Sequence, residues 1–177
     1  SHYANWEWVL TYGTNFFEHK LCALYKPMRN KKIDNKIFEG RKKMGLNLFS
    51  MEKAGLMVKN NNNSPSAFVF IADQSPANID KALWIDFFGV PTAVIKGAEQ
   101  LSVKFDLPVF YLNVQRKSRG EYSAKFELLE SNPRGTREGE ISTVYMNKLE
   151  EIIKQNPSPW LWSHKRWKKT PEIKNYF

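Results

Sequence analysis

The feature that most constrains the fold of this chain is its longest apolar run, Ala67-Phe68-Val69-Phe70-Ile71-Ala72, closed by Asp73-Gln74-Ser75-Pro76. The run is far shorter than the ~18 apolar residues of a membrane span, so it reads as a buried strand. A polar cluster directly after a buried strand is where α/β proteins place function. Helical spacing surrounds it. Trp6, Val9, Leu10, Phe16, Phe17 and Leu21 predict a helix, a break at Gly13 and a second helical turn over 6–22. Ala23 to Lys26 reads as a short strand ended by Pro27. Residues 30–57 read as a basic helical region with Ile33, Ile37 and Phe38 on one face, broken at Gly40 and Gly45. Ser50 is a helix N-cap by preference, with Lys53 to Lys59 following. Asn60 to Pro65 is a loop.

Beyond the apolar run, Phe87 to Pro91 reads as a turn. Gly97 to Phe105 is helical, with Ala98, Leu101 and Phe105 inward. Pro108 to Gln115 is a second buried strand, and Glu121 to Leu129 alternates as an antiparallel one. Ser142 to Gln155 is a helix that turns Tyr145, Leu149, Ile152 and Ile153 inward. Helices alternating with short apolar strands give an α/β class: a mixed, mostly parallel central sheet flanked by helices, with an antiparallel addition. A length of 177 residues, with no internal repeat and no linker, predicts one domain with a sizeable core.

Composition narrows the class. Hydrophobic residues make up 42% and charged residues 25% of the chain, a globular profile. Cys22 is the only cysteine, so no internal disulfide forms, which fits a reducing compartment. It lies in an apolar stretch and reads as a small core residue. The net charge of +9 points to an acidic partner: nucleic acid, an anionic membrane, an acidic protein or a phosphorylated substrate. No nucleic-acid recognition motif is present, which argues against the first.

The start of the chain carries the candidate chemistry. In His2-Tyr3-Ala4-Asn5-Trp6-Glu7 a histidine precedes a carboxylate by five positions. In one helix such residues sit roughly 140° apart and do not meet. They can meet if Asn5 is an N-cap, His2 lies before the helix and Glu7 is at its second position, where the helix dipole favours a carboxylate. Glu7 would then accept a hydrogen bond from one imidazole nitrogen and leave the other to take a proton from a hydroxyl. On spacing alone the pair reads more readily as a surface histidine near a terminus and an ordinary N-terminal glutamate.

The downstream blocks change that balance. His2-Tyr3-Ala4-Asn5-Trp6-Glu7 resembles the H-x4-[DE] motif of glycerolipid-type acyltransferases, in the version of the bacterial lipid A biosynthesis late acyltransferases. Tyr25-Lys26-Pro27-Met28-Arg29-Asn30, Arg41, Phe70 to Pro76, Phe87-Phe88-Gly89, Leu107-Pro108-Val109 and Pro157 to Lys168 resemble that family's further blocks, in its order. The resemblance implies a glycerolipid-acyltransferase-like fold over 1–177 and transfer of an acyl chain to a hydroxyl of a lipid A precursor. It implies acyl-acyl carrier protein, or acyl-CoA, as donor and no cofactor or metal. His2 would be the general base and Glu7 its orienting acid. Rival readings are another phospholipid, glycolipid or aminolipid acceptor, or a non-catalytic lipid-binding module.

Further residues follow from the same comparison. Arg41 and Lys26 are candidates for gripping acceptor phosphates, or are solvated members of a basic face. Asp73 and Gln74 are candidates for orienting the acceptor sugar or holding the His2 loop, or form a plain strand-end turn. His164 reads as structural, without a metal role. The tryptophans around it are expected to close the core, with Lys165, Arg166, Lys168 and Lys169 facing anionic lipid or carrier protein. The run from Arg29 to Lys43 is a second basic surface for an acidic carrier. The family places a membrane helix and a strand before the histidine. A chain starting at Ser1 is therefore expected to be soluble or peripheral at the cytoplasmic face of the inner membrane, with a disordered or misplaced His2 loop.

Overall fold

The computed structural model describes residues 1–171 apart from Asn62 and Lys81. The chain packs as two compact units, Asn5–Phe70 and Ser1–Ala4 together with the chain from Ile71 onward.

The Asn5–Phe70 unit is built on a parallel sheet. Helix α1 (Trp6–Gly13) starts at the N-cap Asn5, whose side chain accepts from the Trp8 amide. Strand β1 (Lys20–Tyr25) lies between β2 (Asn47–Ser50) and β3 (Ser66–Val69), parallel to both. Its Leu21, Cys22, Ala23 and Tyr25 are buried, as expected of a central parallel strand. The second helical turn expected before β1 is absent, and β1 starts earlier than read. Helix α2 (Lys31–Lys43) links β1 to β2 and runs through Gly40. Gly45, at φ 90, ends it, because a side chain there would meet the backbone in the left-handed region.

The face of α2 also differs from the expectation. Ile33 and Ile37 are exposed. The helix instead turns in Asp34, which accepts from the Met28 amide at 2.7 Å, and Phe38, which packs on the Tyr25 ring. The inward face of α2 is thus set by the Asp34 hydrogen bond and the Phe38 ring and not by the isoleucines. Strand β2 lies inside the stretch read as helical. A 3-10 turn (Met51–Lys53) and helix α3 (Ala54–Asn61) follow, and Ser50 makes no side-chain cap bond. Helix α3 takes in Asn60 and Asn61 of the expected loop; Asn62 lies outside the described residues. Strand β3 is half-buried and leaves its ladder at Phe70, short of the expected Ala72.

The other unit holds two antiparallel hairpins and two helices. Strands β4 (Leu83–Phe87) and β5 (Val90–Val94) meet through Phe88-Gly89. Both turn residues have positive φ, 58° and 74°, as tight hairpin turns require. The Phe88 amide donates to Glu150 and the Gly89 amide to Asp86, so the turn is pinned from two sides. Strands β6 (Val109–Ser118) and β7 (Glu121–Glu130) form the second hairpin, the expected antiparallel addition. The single, mostly parallel central sheet is thus corrected: among the described residues the parallel sheet has three strands and the hairpins form separate sheets.

Helix α4 (Gly97–Phe105) covers the expected residues, but it buries Glu99 and Ser102 while Ala98, Leu101 and Phe105 stay half-buried. Glu99 is there to cap α5 (Glu140–Gln155). Its carboxylate accepts from the Gly139 amide at 2.5 Å, the Ser142 amide at 3.0 Å and the Ser142 hydroxyl. Those amides are the unpaired donors of a helix start, and the charge sits at the positive end of its dipole. Helix α5 buries Met146, Leu149, Ile152 and Ile153 against Ile85, Phe87, Val94, Tyr111, Tyr3 and Trp160, the core of this unit.

Candidate active site

The site grows from an edge. Tyr3 bridges to Trp160 as an antiparallel partner, and its hydroxyl donates to the Asn156 carbonyl at 2.6 Å. The Ala4 amide donates to Pro159 and the Leu161 amide to the His2 carbonyl. A short extended segment is therefore sewn onto the Pro157–Leu161 stretch, and His2 is carried on it. The disordered or misplaced loop expected from the sequence is corrected by these bonds.

His2 then meets Asp73. Imidazole Nδ1 lies 2.7 Å from Asp73 Oδ1, and the His2 amide donates to Asp73 Oδ2 at 3.0 Å. An ionised carboxylate only accepts hydrogen bonds, so Nδ1 carries the proton and Nε2 the lone pair. Gln74 Nε2 lies 3.4 Å from that Nε2. The Asp73 side chain is 0% exposed. Burial alone would raise its pKa. The hydrogen bonds and charge of His2 outweigh that and hold it well below the usual carboxylate range.

Asp73 is held from behind by the C-terminal segment. Trp160 Nε1 donates to Oδ2 at 3.1 Å. Arg166 Nε donates to the Asp73 carbonyl at 2.5 Å, Nη2 lies 3.5 Å from Oδ2, and the guanidinium stacks 3.9 Å from the Trp160 ring centre. Arg166 was expected to face lipid or carrier protein; its side chain is 2% exposed. A planar, weakly hydrated guanidinium that finds both an indole face and a carboxylate is buried at lower cost than a lysine would be. Of the tryptophans, Trp160 closes the core and Trp167 packs against it, donating to Thr92, while Trp162 is exposed. Lys169 donates to the Pro76 and Ala77 carbonyls. His164 has a buried Nδ1 without a hydrogen-bond partner, and burial and the Arg166 charge lower its pKa.

In the Asn5–Phe70 unit, Glu7 is at the second position of α1, as expected, and Arg41 grips it with both arms. Nε reaches Oε1 at 2.6 Å and Nη2 reaches Oε2 at 2.7 Å. Arg41 also lies over the Tyr25 ring. Lys26 is exposed at the end of β1. The structure therefore pairs His2 with Asp73 and Gln74 in one unit, and Glu7 with Arg41 in the other. Trp160 and Arg166 were the residues missed. Their one sequence signal was an arginine set between tryptophans in an otherwise lysine-rich stretch.

A half-buried histidine oriented by a buried carboxylate, and a bidentate arginine–glutamate pair, lie on the expected motif residues. The family model of bacterial lipid A biosynthesis acyltransferases matches residues 1–169. The chain belongs to that family. The match takes in every candidate residue, and the family's activity is acyl transfer to a lipid A-type acceptor. No curated protein sequence matches the chain. Among the described residues, no helix is long and apolar enough to cross a membrane, and no cluster of His, Cys, Asp or Glu is arranged to hold a metal.

Proposed function

We propose that the chain transfers a fatty acyl group from acyl-acyl carrier protein to a hydroxyl of a lipid A precursor, with His2 as general base. The observation that carries this reading is the 2.7 Å contact of His2 Nδ1 with the buried Asp73 carboxylate. It leaves the lone pair on Nε2 and steadies the imidazolium that forms there. The acceptor hydroxyl gives its proton to Nε2 as its oxygen attacks the thioester carbonyl. The tetrahedral intermediate then expels the thiolate, which recovers the proton from Nε2. Proton transfer of this kind contributes ~10²–10⁴-fold in rate. No acyl-enzyme is needed, which agrees with Cys22 being fully buried.

Glu7 enters the reading as the acid of the family motif, with its carboxylate set by Arg41. Arg41, Lys26 and Gln74 are proposed to meet the acceptor, the two basic residues through its phosphates. The exposed lysines of α2 offer an acidic carrier a steering surface. Exposed Trp8, Tyr12 and Phe16 on and just after α1 suit the headgroup level of a membrane surface.

Labelled acyl-carrier thioester supplied with separated lipid acceptors tests the reading. Label should pass to a lipid A precursor, and His2→Ala should fall to background with its circular dichroism unchanged. Retained turnover in that variant, or transfer only to phospholipid, would overturn the base or the acceptor respectively.

A further inference from the structure

We infer that Arg166 and Trp160 are positioning residues for His2, acting through Asp73, so that the C-terminal tryptophan–arginine segment is part of the catalytic apparatus. The inference rests on the reading of His2 as general base.

A carboxylate has two oxygens, and the imidazole can be offered either. Oδ2 of Asp73 is already taken by the His2 amide, Trp160 Nε1 and Arg166 Nη2. Oδ1 is the oxygen offered to Nδ1. Arg166 Nε also binds the Asp73 main-chain carbonyl, so one guanidinium fixes both backbone and side chain of the same residue. The carboxylate can therefore neither spin nor swing, and the ring it holds keeps one tautomer and one direction. Trp160 supplies the platform: its ring carries the guanidinium, its N–H reaches Oδ2, and its backbone pairs with Tyr3 beside His2. Arg166 is itself tied down, since Ser75 donates to its carbonyl.

A general base misplaced by about 1 Å loses on the order of 10²-fold in rate. Substrate affinity does not suffer, because neither residue is offered to substrate. The test uses Arg166→Met and Arg166→Lys in the full chain, read two ways. Ring ¹⁵N signals of His2, assigned by their loss in His2→Gln, report the tautomer with the imidazole neutral. Steady-state acyl transfer reports kcat and KM. In the parent, Nδ1 should be the protonated nitrogen. In Arg166→Met, the ring should sample both tautomers, and kcat should fall on the order of 10²-fold with KM within about twofold. Arg166→Lys, which restores charge without the fork, should recover about tenfold.

A folded Arg166→Met protein with an unchanged ring signal overturns the inference, as does a loss carried by KM. If Arg166→Met does not fold, Trp160→Phe keeps the platform and removes the N–H. It should shift the ring signal and lower kcat about fivefold, and no change in either would overturn the inference. Should His2→Gln keep full turnover, the general-base reading fails. The ring signals still report whether Arg166 positions His2.

Discussion

Two carboxylates in this chain do similar work by opposite means. Asp73 is sealed from solvent and meets an imidazole, an indole, a guanidinium and a main-chain amide. Glu7 keeps 37% of its side chain exposed and relies on one arginine in fork geometry. Burial makes the first arrangement costly to break, because any lost partner leaves an uncompensated group in a low-dielectric setting. Exposure makes the second adjustable, since water can replace either partner at small cost. The contrast is physical: the buried carboxylate fixes one imidazole nitrogen as donor, and the exposed pair stays within reach of water.

The comparison predicts its largest effect for Asp73→Asn. An amide leaves Arg166 buried without its counter-charge, so the loss of unfolding free energy in urea should be about 3 kcal/mol. Glu7→Gln should cost well under about 1 kcal/mol. Equal losses would break the contrast.

A second, graded effect concerns acid. The folded pKa of Asp73 lies below its unfolded value of about 3.9. Its stabilising share is thus fully present above that value and is lost as pH falls through the folded pKa. His164 adds a shallower slope of the same sign, because its folded pKa is lowered from about 6.5 and protonation favours the unfolded chain. The parent should lose stability gently below about pH 6.5 and steeply only below about pH 4. Asp73→Asn should remove the steep part. Stability that is flat to about pH 3 in the parent would count against the Asp73 assignment.

The smallest effect separates the pairs by salt. A double-mutant cycle on Glu7 and Arg41 should give a coupling of about 0.5–1 kcal/mol in dilute buffer and less at about 1 M salt, where the screening length is near 3 Å. The same cycle on Asp73 and Arg166 should hardly respond. A salt-insensitive Glu7–Arg41 coupling would mean that this pair is not screened as its exposure implies.

Much of the frame was legible in local signals. Helix α5, the Phe88-Gly89 turn and the β6–β7 hairpin each carry their own periodicity or turn residues, and Asn5 is the cap that the start of the chain advertises. Strand β2 escaped notice because four half-buried residues have no pattern to display. Strand β5 was masked by Pro91, a residue that normally argues against a ladder. At the site, His2, Glu7, Asp73, Gln74 and Arg41 were legible as candidates from motif spacing and resemblance. The pairing of His2 with Asp73 through Nδ1 is a long-range event that no local window contains. Arg166 escaped for the same reason: among lysines it reads as surface, and only the Trp160 face and the Asp73 carboxylate bury it.

The stitch between the start of the chain and its late tryptophan segment bears on how the enzyme is made. Tyr3 is bonded to a carbonyl 153 residues further along. On a ribosome, His2 emerges long before the Asn156–Leu161 stretch that holds its segment. Contacts of such separation close slowly, because the loop entropy is lost before the bonds form. The pairing that holds His2 should therefore form late in a nascent or refolding chain, after its helix content and together with the core that Tyr3 and Trp160 complete. A product cut short before Trp160 would carry His2 without the stretch that holds its segment.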